Sequence, residues 1–296
     1  MKILITGATG FIGQNLIKLL LENNFNIYCI TRINSDLSKI HSKVEIFQYD
    51  ENIDSLLEFF QNEKFDGVIH LASLFLLNHT KDNISNLLSS NIKFGVELLE
   101  ASKISKVKWF INTGTFWQNY NNEEYNPVNL YAATKEAFLN IAKYYTQTSD
   151  LIFTTIKLND TFGPNDTRDK IFNLWYKIAQ TEEILEMSQG NQIIDISYIE
   201  DVINAYDILI KHLSSNKKNE YKNKIFAIKS NERMSLKELS KVFEKAINCK
   251  LNIQWGAKPY REREVMNPWE DGETIENWEQ KYTLKDAIIK TILENK

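Results

Sequence analysis

The sequence predicts an α/β fold: a doubly wound parallel sheet with a smaller C-terminal lobe. Two observations carry this expectation. Over residues 1–160, short apolar runs alternate with segments of helical period, and a glycine-punctuated turn separates the first run from the first helix. Such alternation implies βαβ units, whose right-handed crossovers lay helices on both faces of a parallel sheet. The length of 296 residues suits one such domain plus a lobe, and 43% hydrophobic with 25% charged residues is ordinary globular usage.

Taken in order, residues 2–6 form an apolar strand stopped by Gly7. Residues 11–22 follow as a helix, with Phe11, Ile12, Leu16, Leu19 and Leu20 apolar. Strands are expected at 26–31, 44–48, 66–72, 107–112 and 151–158. Helices are expected at 53–62, 84–102 and 130–148. After Gly163-Pro164 the alternation loosens. A helix at 171–181, a strand at 193–197, a helix near 200–212 and a strand at 225–228 remain legible. Ser235-Leu-Lys-Glu238 opens a helix at 235–247 with the pattern of a capping box. Polar residues 214–223 read as a surface loop, and the charged stretch 259–274 as loops. The expected division is a dinucleotide domain at 1–160, to which 193–230 returns, and a substrate lobe of 161–192 and 231–296.

The formal net charge of −4 argues against a basic nucleic-acid surface. Cys29 and Cys249 form no CxxC, and His41, His70, His79 and His212 show no ligand spacing, so no metal site is expected. No signal-peptide core and no membrane-spanning run is visible, so a soluble protein of the reducing cytoplasm is expected.

The first turn carries the strongest local signal. Gly7, Gly10 and Gly13 recur every three residues between a strand and a helix. Gly7 supplies a tight turn, Gly10 lets a pyrophosphate approach the backbone, and Gly13 lets the helix lie close to the sheet. The helix N-terminus then offers free N–H groups and a positive dipole end. This is the dinucleotide turn of a Rossmann domain. The second strand ends Ile30-Thr31-Arg32, without the acid that would take ribose hydroxyls. A guanidinium suits a 2′-phosphate, so NADP(H) is expected over NAD(H). Asp50, ending the third strand, is a candidate for the adenine amino group.

Tyr131 and Lys135 stand four apart at the start of a helix and share a face. An ammonium beside a phenol stabilises phenolate and so makes the hydroxyl a better proton donor. Thr113, at the C-terminal end of the fifth strand, faces the ligand crevice and would bond the oxygen that Tyr131 protonates. Trp117 and Gln118 follow this strand and are candidates for lining a substrate pocket.

These residues, with His70-Leu-Ala-Ser73, Asn91 and Phe162-Gly163-Pro164, resemble the extended short-chain dehydrogenases, a family of nucleotide-sugar epimerases, dehydratases and 4-ketoreductases. Closer still, the chain resembles CDP-sugar reductases that make abequose and paratose. These share Ile30-Thr31-Arg32, the asparagine-threonine before the catalytic loop, and Pro259-Tyr-Arg-Glu-Arg-Glu-Val265. The resemblance implies that Thr113, Tyr131 and Lys135 are the catalytic trio, with Lys135 also on the nicotinamide ribose. Gly7, Thr9, Gly10, Phe11, Ile12, Gly13, Arg32, Asp50, Leu71, Ala72, Ser73 and Asn91 would hold the cofactor. Thr115, Trp117, Asp160, Arg168, Arg261 and Arg263 would meet a nucleotide-diphospho sugar, and a homodimer would form through the helices at 84–102 and 130–148.

Family dehydratases follow the threonine with an Asp-Glu pair. Here Gly114 and Thr115 stand there, which disfavours elimination. The family's Arg-Asp-Phe reads Ile194-Asp195-Ile196, so another arginine would have to meet the diphosphate. The expected activity is reduction of a 4-keto sugar, with a 4-epimerase or a non-catalytic NADP sensor as alternatives.

Overall fold

A computed structural model describes residues 1–181 and 183–295. The first half runs β1 (Lys2–Thr6), α1 (Phe11–Glu22), β2 (Asn26–Arg32), β3 (Glu45–Tyr49), α2 (Ile53–Glu63) and β4 (Gly67–His70). It continues through α3 (Ile84–Leu88), a π-helical turn at Ser89–Lys93, α4 (Phe94–Ile104), β5 (Trp109–Thr115), α5 (Leu130–Gln147) and β6 (Ile152–Leu158). The second half holds β7 (Asp160–Phe162), α6 (Ile171–Ile178), β8 (Leu185–Met187), β9 (Ile193–Ile194), β10 (Ile196–Tyr198) and α7 (Ile199–Leu213). It closes with β11 (Ile225–Ala227), β12 (Met234–Ser235), α8 (Leu236–Ile247), β13 (Ile253–Trp255) and α9 (Leu284–Glu294).

Seven strands form one parallel sheet in the order β11-β6-β5-β4-β1-β2-β3. The central strands are apolar on both faces because both are covered, and Ile3, Leu4 and Ile5 of β1 are fully buried. On one face α1 and α7 pack around Leu16, Leu20, Val202, Tyr206 and Leu209. On the other, α2, α4 and α5 pack around Leu56, Phe60, Leu98, Leu99 and Phe138. The doubly wound architecture follows from that division.

The expected long helix at 84–102 is broken in the middle by the π-helical turn, which turns Asn91 into the protein. The capping box at Ser235 and Glu238 forms as its sequence suggests. By contrast, α9 escapes the sequence reading. Its signal is nevertheless local: Thr283 caps the Asp286 N–H, and Leu284, Ala287, Ile288 and Thr291 face inward. It packs on α8, and Lys290 reaches Glu200 of α7 at 2.6 Å. Among the described residues, no helix is long and apolar enough to cross a membrane.

Candidate active site

The strand order reverses between β1 and β4, and a ligand crevice forms beyond the C-terminal ends of strands at such a switch point. There a cavity of about 340 Å³ is lined by Gly7, Thr9, Gly10, Arg32, Leu71, Ala72 and Ser73, among others. The three glycines have distinct geometric reasons. Gly7 has a φ of +74°, and a Cβ on it would stand 2.8 Å from the Ala72 nitrogen. At Gly13 a Cβ would lie 2.3 Å from the Gly7 carbonyl oxygen, so the helix could not sit so close. Around Gly10 the nearest atom to such a Cβ is the Gly7 oxygen at 3.2 Å, and the rest is open. No side chain caps α1 and its first turn carries no acid, which leaves the N–H groups of Phe11, Ile12 and Gly13 for an anion. Arg32 is exposed at the rim, and among the described residues its guanidinium has no ion pair or hydrogen-bond partner.

Two residues expected at the cofactor act otherwise. The Asp50 carboxylate accepts from the Asn52 N–H at 3.1 Å and from the Ser55 hydroxyl at 2.7 Å, so it closes the turn into α2. Its neighbours Tyr49 and Glu51 line the cavity instead. Asn91 is 2% exposed. Its amide accepts from the Leu74 N–H at 2.7 Å and donates to the Leu74 carbonyl at 3.0 Å and the Thr134 hydroxyl at 2.9 Å. It therefore shapes the loop after β4 from behind, because the π-helical turn aims it inward. His70, also buried, pairs through Nδ1 with the Thr6 hydroxyl at 2.8 Å, and that hydroxyl accepts from the Ala72 N–H at 3.1 Å. Desolvation holds this imidazole neutral, down to about 3.

Asn129 caps α5 by accepting from the Ala132 N–H at 3.0 Å, and its amide donates to the carbonyls of Leu76 and Leu77 at 3.2 and 3.0 Å. One residue thus fixes both the start of the helix and the loop facing it. Tyr131 sits in the first turn, its phenol beside the Ser73 hydroxyl and its ring edge-on to Phe75 at 5.1 Å. Lys135, one turn on, is 4% exposed, and among the described residues its ammonium has no hydrogen-bond or ion-pair partner. Burial pushes the Tyr131 phenol up to about 12, with the Ser73 hydroxyl opposing, and pulls Lys135 down to about 8. The expectation that the ammonium acidifies the phenol is therefore corrected for the ligand-free protein: desolvation dominates and keeps the phenol protonated.

The Thr113 hydroxyl meets the buried Tyr206 phenol of α7 at 2.6 Å, and either group can be the donor. The side chain faces α7, and Thr115, two residues on in the same strand, shares that face. Thr115 ends β5, where its oxygen accepts from the Trp117 N–H at 3.3 Å and leaves its own proton free to donate. No acid follows either threonine, since Gly114-Thr115 succeed the first and Phe116-Trp117 the second.

Beyond Tyr131 the wall is aromatic and charged. Phe75 packs on Trp117 at 5.6 Å, and Lys170 lies over Phe75 at 5.4 Å while pairing with Asp160 at 2.6 Å. Arg261 stands over Trp117 at 5.8 Å and pairs with Glu264 at 2.6 Å. Sequence reasoning missed Phe75 and Lys170, which reach the site from loops. Arg168 is held by Asp166 at 2.7 Å and by Thr161, over the Phe11 ring, so it braces the glycine turn. Arg263 bonds Asn126 and covers Tyr120 at 4.3 Å. Gln118 is 1% exposed, its amide held by the Thr115 N–H and by Glu136, so it does not line the pocket.

The family model for NAD dependent epimerase/dehydratase proteins matches residues 3–226. A CDP-abequose synthase of Salmonella muenchen is 26% identical, covering 98% of this chain and 97% of its own. One of Yersinia pseudotuberculosis is 28% identical over 90% and 92% of the two chains. Among solved structures, a Bacillus cereus UDP-glucuronic acid 4-epimerase in complex with UDP-glucuronic acid and NAD superposes with a TM-score of 0.84 at 22% identity, covering 99% and 98%. A Thermotoga maritima UDP-glucose 4-epimerase with UDP-glucose gives 0.83 at 20%, with the same coverage.

Proposed function

Because the chain belongs to the NAD dependent epimerase/dehydratase family, we propose that it is an NADP(H)-dependent reductase acting on the C4 keto group of a nucleotide-diphospho-4-keto-6-deoxyhexose, CDP-linked by preference. The observation that carries the reading is the phenol of Tyr131, protonated at neutral pH, next to Ser73 of the dinucleotide crevice and one helical turn before Lys135, whose ammonium has no partner among the described residues. A forming alkoxide needs a proton donor in that state. The glycine turn, the uncapped start of α1 and the unpaired Arg32 fit a dinucleotide with a 2′-phosphate. The names of the CDP-abequose synthases favour the cytidine-linked sugar.

When bound, NADPH supplies the hydride for the carbonyl carbon. Tyr131 donates its proton to the carbonyl oxygen as charge builds there. Thr113, near the end of β5, is assigned the second hydrogen bond to that oxygen, its own oxygen accepting from Tyr206. Lys135 stabilises the resulting phenolate and takes a ribose hydroxyl as the partner its ammonium lacks. Lys170 and Arg261 are assigned to the diphosphate in place of the family arginine replaced by Ile194, while Phe75 and Trp117 pack on the sugar. Donors fixed in advance around the oxygen carry much of the rate. A homodimer would bury Ile84, Leu88, Ile104 and Tyr144, which stand exposed on or beside α3, α4 and α5.

The test offers NADPH and NADH with CDP-, dTDP- and UDP-linked 4-keto-6-deoxy sugars and follows the reduced-nicotinamide absorbance. Stoichiometric loss with NADPH supports the proposal. Isomerisation without loss makes the protein an epimerase, and binding without either makes it a sensor.

A further inference from the structure

Behind the site lies a buried cation that the proposed reaction does not use. Lys157 sits on β6, paired in register with Gly114 of β5 and Ala227 of β11. It is 3% exposed, and among the described residues it has no ion pair. Its stem crosses Gly114, where a Cβ would stand 3.0 Å from Lys157 Cγ and 2.7 Å from Gln118 Oε1, so that position admits only glycine without a shift. The ammonium donates to Asn119 Oδ1 at 2.6 Å and lies 4.7 Å from the centre of the Trp269 ring. Isolated buried ammonium groups are costly to keep, so what this one organises is informative.

It organises a loop. The Asn119 amide donates both its hydrogens, to the carbonyls of Glu123 and Glu124 at 3.0 and 2.8 Å. Across the same turn the Tyr120 N–H donates to the Asn126 carbonyl at 2.8 Å, the Asn126 N–H to the Gln118 carbonyl at 3.2 Å, and the Val128 N–H to the Trp117 carbonyl at 2.9 Å. Asn121 and Asn122 both adopt left-handed backbone, with φ of 58° and 59°, a conformation the turn must hold against its intrinsic preference. Trp269 packs on Phe116 at 5.5 Å, and the Glu270 N–H reaches Asn122 Oδ1 at 2.8 Å. Residues 116–128 are thereby fastened to the late segment that also carries Arg261.

We propose that Lys157 is a positioning residue, which through Asn119 and Trp269 sets the wall that presents Trp117 to the sugar. That the wall belongs to a sugar pocket rests on the function proposed above; that Lys157 holds the wall does not. Burial lowers the Lys157 ammonium to about 8, opposed by the charge of Glu136 on α5, while Asn119 and Trp269 face it as neutral groups. Because burial holds this ammonium below its ordinary value, the closed clamp gains on the open loop as pH rises through that value.

Hydrogen exchange tests the assignment on the full chain. In Lys157→Met, protection of the Tyr120, Asn126 and Val128 amides should fall at least about tenfold, the equivalent of one charge-assisted hydrogen bond. The amides of β5 and β6 should stay within about twofold of wild type on the same scale. Wild-type loop protection should rise through a transition near pH 8. Lys157→Arg should restore protection and abolish the transition, because a guanidinium does not titrate there. Asn119→Asp should move it upward, which keeps the test alive if Lys157→Met fails to fold. Unchanged loop protection in Lys157→Met, equal loss in the sheet, or an unmoved transition in Asn119→Asp overturns the proposal. Calorimetry with CDP-glucose and NADPH separates it from the functional reading. Lys157→Met should weaken CDP-glucose and spare NADPH, whereas a wild-type protein binding neither refutes the function and leaves exchange to decide Lys157.

Discussion

Lys135 should be a residue the protein folds in spite of. The residue is 4% exposed, its ammonium has no partner among the described residues, and burial lowers it from 10.5 to about 8. That displacement corresponds to roughly 3 kcal/mol against the folded state at neutral pH. Replacing Lys135 by Met keeps the stem and removes the charge. Stability at pH 7 should then rise by up to about 3 kcal/mol, a few degrees in Tm. Turnover should fall about 10²–10⁴-fold, because the phenolate loses its stabiliser. The sign follows from linkage. Between about 8 and 10.5 the folded protein binds fewer protons at this site than the unfolded chain, so this lysine's cost disappears as pH rises through that window. Wild type and Lys135→Met should therefore differ most at pH 7 and converge near pH 10.5. Urea unfolding followed by circular dichroism at pH 7 and 9.5 measures the difference. A variant less stable than wild type at pH 7, with the same gap at pH 9.5, would refute the reasoning, since the lysine would then be stabilising the fold through a partner.

Other substitutions separate the parts of the site. Tyr131→Phe should lower kcat/KM about 10²–10⁴-fold while leaving NADPH affinity, measured by fluorescence titration, within about twofold. Thr113→Val should cost about tenfold or more in kcat and exceed Thr115→Val; the reverse order would move the role to Thr115. Arg32→Ala should weaken NADPH about 10-fold or more and leave NADH unchanged, in equilibrium binding at low salt. Gly13→Ala should destabilise the fold by about 1–3 kcal/mol in thermal unfolding, because its methyl would stand 2.3 Å from the Gly7 oxygen.

The parts of the site that were legible in the sequence are those whose cause is local. Gly7, Gly10 and Gly13 each answer a constraint within the turn itself, except that Gly7 also makes room for Ala72. The pair Tyr131 and Lys135 is set by helical spacing, and Asn129 caps the helix that carries it. What was hidden depends on contacts far apart in the chain. Thr113 was read from strand position alone, and only the packing of α7 gives its hydroxyl to Tyr206. Asn91 looked like a cofactor ligand until the π-helical turn aimed it at Leu74 and Thr134. Phe75 and Lys170 sit on loops with no period to mark them, and they become neighbours only when the second half folds back on the first. Lys157 is the one charged residue of β6, and the reason a charge is tolerated there comes from Asn119 and Trp269. The last helix was the exception, a locally marked element that was passed over.

The most direct measurement follows the hydrogen itself. NADPH carrying deuterium at the transferred position, incubated with a CDP-linked 4-keto-6-deoxyhexose, should yield oxidised cofactor and a product holding the label at C4, read by NMR and mass spectrometry. Label that stays on the nicotinamide while the sugar isomerises, or a sugar that remains unchanged, would contradict the account.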